Sequence, residues 1–167
     1  MSEGMITLLV QQVGHELHNH NLYKSFANYF GSEGLHLLEK YYNMRADEEL
    51  LHHNWIVKHL SDRDVVFNYP AVSEVKEITG HMEILRETCI VEEDTTNLIY
   101  AIADLAKEEN DWLTLAWLMG NSETDGKLLM EQLEEEAISN LVYDIASQDG
   151  SWLEKERVIM SAYANNN

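Results

Sequence analysis

The sequence predicts an all-α fold: a four-helix bundle with a long crossover between helices two and three and a short fifth helix at the C-terminal side. Three observations carry this. One proline and eight glycines in 167 residues leave room for long uninterrupted helices and little β structure. Four long segments repeat apolar residues at seven-residue intervals, the period of a bundle-facing helix stripe. Between the second and third of these lies a stretch, residues 61–72, with no helical period and the only proline, Pro70. The size and the 45% hydrophobic content fit one domain over residues 1–167 with a core of its own.

The first helix is expected over residues 7–30, on the apolar line Leu9, Val13, Tyr23, Phe26 and Phe30. Gly31-Ser32-Glu33-Gly34 then makes a tight turn, with Ser32 as candidate N-cap of the next helix. That second helix, residues 35–60, follows so closely that the two must be antiparallel neighbours. The stretch 61–72 covers about 40 Å when extended, against about 36 Å for a helix of two dozen residues. It is long enough to travel the length of a bundle, which makes helices two and three parallel. The third helix is expected over 73–107, although Gly80 weakens its first turns. Asn110-Asp111 turns the chain, with Asp111 as the next N-cap candidate. The fourth helix is interrupted: residues 111–119 are helical, 120–126 form a loop with Gly120 and Gly126, and 127–148 are helical again. Residues 151–164 form the short last helix, and Asn165-Asn166-Asn167 frays.

Each long helix carries one anomaly. Glu16 stands in the stripe Leu9–Tyr23–Phe30, Glu49 in Tyr42–Ile56, Glu92 in Leu85–Ile99–Ala106, and Glu135 in Leu128–Val142. Each has apolar neighbours seven residues to either side. A lone buried carboxylate is costly, and four together in a low-dielectric interior repel one another or take up protons. Two divalent or trivalent cations resolve the conflict. His52 shares a helix face with Glu49 at i, i+3 and adds a nitrogen ligand; Gln132, one turn before Glu135, adds a neutral oxygen. Carboxylates with imidazole suit iron or manganese, and the lack of cysteine ligands argues against a structural zinc site.

Charge and the remaining motifs narrow the function class. The formal net charge is -19, from 30 acidic against 11 basic residues, so the surface repels phosphate backbones and nucleic-acid binding is not expected. Composition alone favours an ordinary solvated acidic surface over cation collection. Cys89 is the only cysteine, which leaves no intramolecular disulfide and fits a small core residue. The apolar run at residues 5–10 is too short for a signal peptide, and no window approaches the roughly 20 apolar residues of a membrane span. A cytoplasmic protein without membrane contact is expected. His15, His18 and His20 flank Glu16 and are expected mostly on the outer face.

Several of these pieces together resemble a bacterial haem-free ferritin: Glu16-Leu17 with Tyr23, Glu48-Glu49-Leu50-Leu51-His52, Glu92, Leu105-Ala106 with Asn110-Asp111, and Glu131-Gln132-Leu133-Glu134-Glu135-Glu136. The resemblance spans residues 9–144. It implies a ferroxidase centre in which Glu16, Glu49 and His52 hold a first iron, Glu49 bridges, and Glu92 holds a second with Gln132 or Glu135 nearby. Tyr23 would lie beside the centre as a hydrogen-bond donor to the Glu92 region or as a one-electron donor. Glu48, Glu131, Glu134 and Glu135 resemble the additional iron site of bacterial ferritins. The implied activity is oxidation of Fe(II) to Fe(III) by O₂ or peroxide, with the product stored as mineral in a shell of twenty-four subunits. A bacterioferritin needs a second Glu-x-x-His on the fourth helix, where Ile138 stands three residues after Glu135, and Leu50 replaces the haem-ligating Met; no haem is expected. Relative to the family pattern, about seven residues are added between Trp117 and Glu131. Seven residues are two helical turns, so a bulged helix keeps Glu131 and Glu135 inward. The insertion motivates a second reading, a ferritin-like di-metal oxidase or peroxidase that forms no storage cage. A third is a non-catalytic helical interaction module whose acids are solvated.

Overall fold

A computed structural model describes residues 1–120 and 127–166. Among the described residues all regular structure is helical: α1 (Glu3–Ser32), α2 (His36–Asp62), α3 (His81–Glu108), α4 (Trp112–Met119), α5 (Leu128–Ala146) and α6 (Trp152–Asn166). The α1 and α2 helices pack along their lengths, as do α3 and α5, and α1 also touches α3. The interrupted fourth helix is therefore α4 plus α5. From Asn121 on, the expected loop at 120–126 lies outside the described residues.

The crossover can be followed by its contacts. Residues 65–79 form neither helix nor strand. Tyr69 stacks on His53, and Pro70 lies so close to mid-α1 that a Cβ at Gly14 would be 2.8 Å from its Cγ. Further on, the Ser73 carbonyl meets His18, and the Gly80 amide donates to the Tyr29 hydroxyl near the end of α1. The strap thus ends where α2 began, and α3 runs parallel to α2 as the spacing predicts.

Three expectations need correction. The third helix starts at His81, not at residue 73. Gly80 sits at φ 102°, a left-handed conformation that a helix cannot pass through, and residues 73–79 are needed as strap. Ser32 does not cap α2. It closes α1, donating its hydroxyl to the Tyr29 carbonyl at 2.7 Å. The free amides at the start of α2 are met from α6 instead: Glu156 Oε2 accepts from Leu37 N at 2.9 Å and Leu38 N at 3.4 Å. A carboxylate there also complements the helix dipole. The first helix begins earlier than expected because Ser2 caps it, accepting from Met5 N at 3.0 Å. Asp111 does cap α4, accepting from Thr114 N at 3.2 Å.

The core is divided. One apolar cluster, rich in rings, gathers Tyr23, Phe26, Phe30, Leu38, Tyr41, Tyr42 and Leu85 with Ile159 and Tyr163 of α6. The other gathers Met5, Leu9, Val13, Ile56, Leu60, Ile99, Ala106 and Leu128. The four stripe glutamates lie between the two, where each stripe passes from one cluster to the other. No described helix is long and apolar enough to cross a membrane.

Candidate metal centre

Glu16, Glu49, His52 and Glu92 are wholly buried, and Glu135 nearly so. They converge as the seven-residue spacing predicts. Ligand atoms of Glu16, Glu49 and His52 lie within 4.8 Å of one another, as do those of Glu49, Glu92 and Glu135, so Glu49 belongs to both groups. Gln12, one turn before Glu16 and also buried, donates to Glu16 Oε1 at 2.7 Å. Gln132 donates to Glu92 Oε2 at 2.7 Å. The Tyr23 hydroxyl donates to Glu92 Oε1 in a short hydrogen bond. His52 Nε2 stands 3.4 Å from Glu131 Oε2 and 3.8 Å from Glu135 Oε1.

Arg45 is the residue the sequence reading missed. Its guanidinium is buried among the acids, with Nη2 2.5 Å from Glu92 Oε1 and Nη1 2.9 Å from Glu48 Oε2 and 3.0 Å from Glu135 Oε1. A signal was present. Arg45 lies four residues before Glu49 and seven before His52, on the same helix face.

The remaining predicted residues divide. Glu48 is half-buried, held between Arg45 and a short hydrogen bond from the Tyr163 hydroxyl of α6. Glu131 reaches His52 from the side. Glu134 is exposed, beside Ala137 and Leu141, on a face of α5 turned away from Gln132 and Glu135. The structure therefore does not bring it to the cluster: it lies one residue off the inward register. The three histidines lie at the edge of the surface rather than fully in solvent. Each is half-buried and tied down: His15 to Thr95 Oγ1 at 2.8 Å, His18 to the Ser73 carbonyl at 3.3 Å, and His20 to the Ala46 carbonyl at 2.7 Å.

The electrostatics follow from this crowding. Burial, and then the charge of Glu16, holds the Glu49 carboxyl well above the usual carboxylate range. Burial also raises Glu135, to about 7, against the pull of Arg45 and His52. For His52, burial acts downward, but the charge of Glu135 and the contact with Glu131 outweigh it and lift the imidazole to about 9. Burial and the Glu92 charge push the Tyr23 phenol well above its ordinary value, so it stays a donor.

Whether a hard cation suits this cluster can be judged from its unpaired atoms. With the acids ionised, Glu16 Oε2, both oxygens of Glu49, His52 Nδ1, Gln132 Oε1 and Glu135 Oε2 are buried without a hydrogen-bond partner among the described residues. Such atoms are rare in folded interiors and expensive there. Four carboxylate oxygens, one amide oxygen and one imidazole nitrogen form the set that iron or manganese accepts.

The ferritin-like domain model matches residues 6–140, most of the chain. The chain belongs to the ferritin family. It is similar to the bacterial non-heme ferritin of Staphylococcus saprophyticus, at 24% identity over 90% of this chain and 86% of that protein. It is also similar to ferritin BfrB of Mycobacterium tuberculosis, at 28% identity over 86% of this chain and 76% of the relative. Among solved structures, the open pore ferritin of the hyperthermophilic archaeon Archaeoglobus fulgidus superposes with a TM-score of 0.85 at 25% identity, covering 96% of this chain and 98% of that one. The ferritin fold accounts for the crossover, for the parallel α2 and α3, and for the short α6 at the end of the bundle.

Proposed function

We propose that this ferritin stores iron and is a ferroxidase. In this reading the buried cluster takes up Fe(II) as substrate, and O₂ or peroxide oxidises it there. The Fe(III) moves to a mineral core inside a shell of twenty-four copies of the chain. The observation that carries the reading is the set of buried, unpaired donors on Glu16, Glu49, His52 and Glu135. Family membership and the storage role of ferritins support it.

Glu16, Glu49 and His52 hold the first Fe(II), Glu49 is shared, and Glu92 and Glu135 serve the second with Gln132 beside them. Two Fe(II) give up two electrons. With two protons these reduce O₂ to hydrogen peroxide, or reduce peroxide to two waters. Anionic oxygen donors favour Fe(III) over Fe(II), which makes the oxidation downhill. The Glu49 proton, retained by burial and by Glu16, is released when a cation arrives. Tyr23 orients Glu92 through its hydroxyl. Glu48 and Glu131, at the edge of the cluster, offer the product a first stop on its way out.

Aerobic Fe(II) loading followed by native mass measurement tests storage and assembly together. A particle of twenty-four chains that gains mass with added iron is expected. A monomer or dimer that oxidises Fe(II) without gaining mass would instead establish the non-storing di-metal oxidase. The division of the fourth helix into α4 and α5 is the observation that keeps that alternative in view.

A further inference from the structure

One cation is already at home in the centre. The Arg45 guanidinium takes Glu92 Oε1, Glu135 Oε1 and Glu48 Oε2. The carboxylate oxygens of Glu92 are fully committed, one to Arg45 and Tyr23 and the other to Gln132. What separates the two halves of the cluster is the positive charge, which lies on Glu92 and Glu135 and not on Glu16 or Glu49. Glu16 Oε2 and His52 Nδ1 are unpaired on one side, Glu135 Oε2 and Gln132 Oε1 on the other, and both oxygens of Glu49, whose Oε2 lies 3.9 Å from His52 Nδ1, are shared. Glu16, Glu49 and His52 thus present donors that Arg45 does not engage. In the group Glu49, Glu92 and Glu135, two of the three acids are already held by a positive charge.

We propose that Arg45 is a specificity-determining residue that occupies the second metal subsite as a resident cation. The centre then takes one divalent ion readily at Glu16, Glu49 and His52. A second must displace Arg45 from Glu92 and Glu135. The argument is one of charge and geometry. A divalent ion bound to those two carboxylates would sit beside a guanidinium bonded to the same groups, in an interior that screens poorly. Like charges placed together in such a setting separate affinities by orders of magnitude. Arg45 also cannot shed its charge to make room, because a guanidinium does not deprotonate in a protein. Its one route is to swing toward Glu48, which it already contacts and which is open to solvent on one side. This inference rests on the reading of the cluster as a metal centre.

Anaerobic calorimetric titration of the full-length, metal-free protein with Co(II), followed in parallel by the visible Co(II) bands, tests it. The wild type is expected to bind one Co(II) per chain tightly and a second at least about 100-fold more weakly. Arg45→Gln is expected to bind two per chain with affinities within about tenfold of each other. Two equally tight sites in the wild type would overturn the proposal while leaving the metal centre intact. A variant that is folded by circular dichroism but still binds a single Co(II) would do the same. No Co(II) bound by either protein would overturn the metal-centre reading itself, and this inference with it. Should Arg45→Gln not fold, the wild-type isotherm still tests the proposal, since two equally tight sites would overturn it.

Discussion

Glu49 and Glu92 look alike in sequence, each a lone acid in an apolar stripe, yet their replacement by glutamine should have opposite effects on the metal-free protein. Glu92 is fully employed: Tyr23, Arg45 and Gln132 all donate to it. Glu92→Gln removes the charge that faces Arg45 and sets an amide NH₂ against at least one of these donors. Breaking a buried ion pair costs about 3–5 kcal/mol. Arg45 keeps Glu135 and Glu48, so the low end applies, about 3 kcal/mol. At about 2–4 °C per kcal/mol for a chain of this size, Tm should fall by roughly 6–12 °C. Among the described residues no donor reaches either oxygen of Glu49, and its one hydrogen bond is the one its own proton makes to Glu16. Burial and the Glu16 charge already hold it toward the protonated form, which glutamine mimics in shape. In Glu49→Gln the amide NH₂ can donate to Glu16 in the proton's place and the repulsion is relieved, so Tm should stay level or rise. Differential scanning calorimetry of both variants and the wild type, after chelation and at neutral pH, makes the comparison. Equal losses in the two variants, or a larger loss in Glu49→Gln, would refute the assignment of Arg45 and of the unpaired atoms.

Other expectations follow from single contacts. Burial, then the charge of Arg63, lowers His59 to about 4 where it stacks on Trp117 and meets Thr114. Its unfolded value is about 6.5, so the neutral ring contributes fully above that pH, and the contribution is lost as pH falls toward 4. His59→Gln should flatten this part of the acid limb by about 1–2 kcal/mol, a figure reduced for solvent screening, in urea titrations at pH 4 and 7. Gly80→Ala should destabilise by about 1–2 kcal/mol, read as a lower urea midpoint, because φ is 102° and the new Cβ would meet Glu83. Glu156→Ala should cost about 1 kcal/mol by removing the acceptor for Leu37 and Leu38, and calorimetry should place its Tm a few degrees below wild type.

What the sequence could reveal was what repeats. Four stripes with a seven-residue period are local to each helix, and each puts its glutamate at the same depth, so Glu16, Glu49, Glu92 and Glu135 could be aligned without coordinates. The crossover was legible for a similar reason, since its length has to match that of the bundle. The misses are cases in which another part of the chain decides. Residues 73–79 contain Glu74, Lys76 and Glu77, which read as an opening helix turn, but Gly80 and the need to span α1 keep them out of the helix. Ser32 looked like a cap because serine before a helix usually is one; Glu156, over a hundred residues away, meets those amides instead. Glu134 stands in a run of acids where neighbouring registers look equally plausible, and only the packing of α5 on α3 separates it from Glu135. Arg45 shares the helix face of Glu49, but a single arginine there reads equally as a stripe edge, and only the packing of the helices brings it onto Glu92 and Glu135.

The most direct test of the central claim is anomalous diffraction at the iron edge from crystals loaded with Fe(II). A strong peak enclosed by Glu16, Glu49 and His52 is expected, with any second peak toward Glu92 and Glu135 weaker and accompanied by a displaced Arg45. No peak in the bundle interior, or iron confined to the acidic surface, would contradict it.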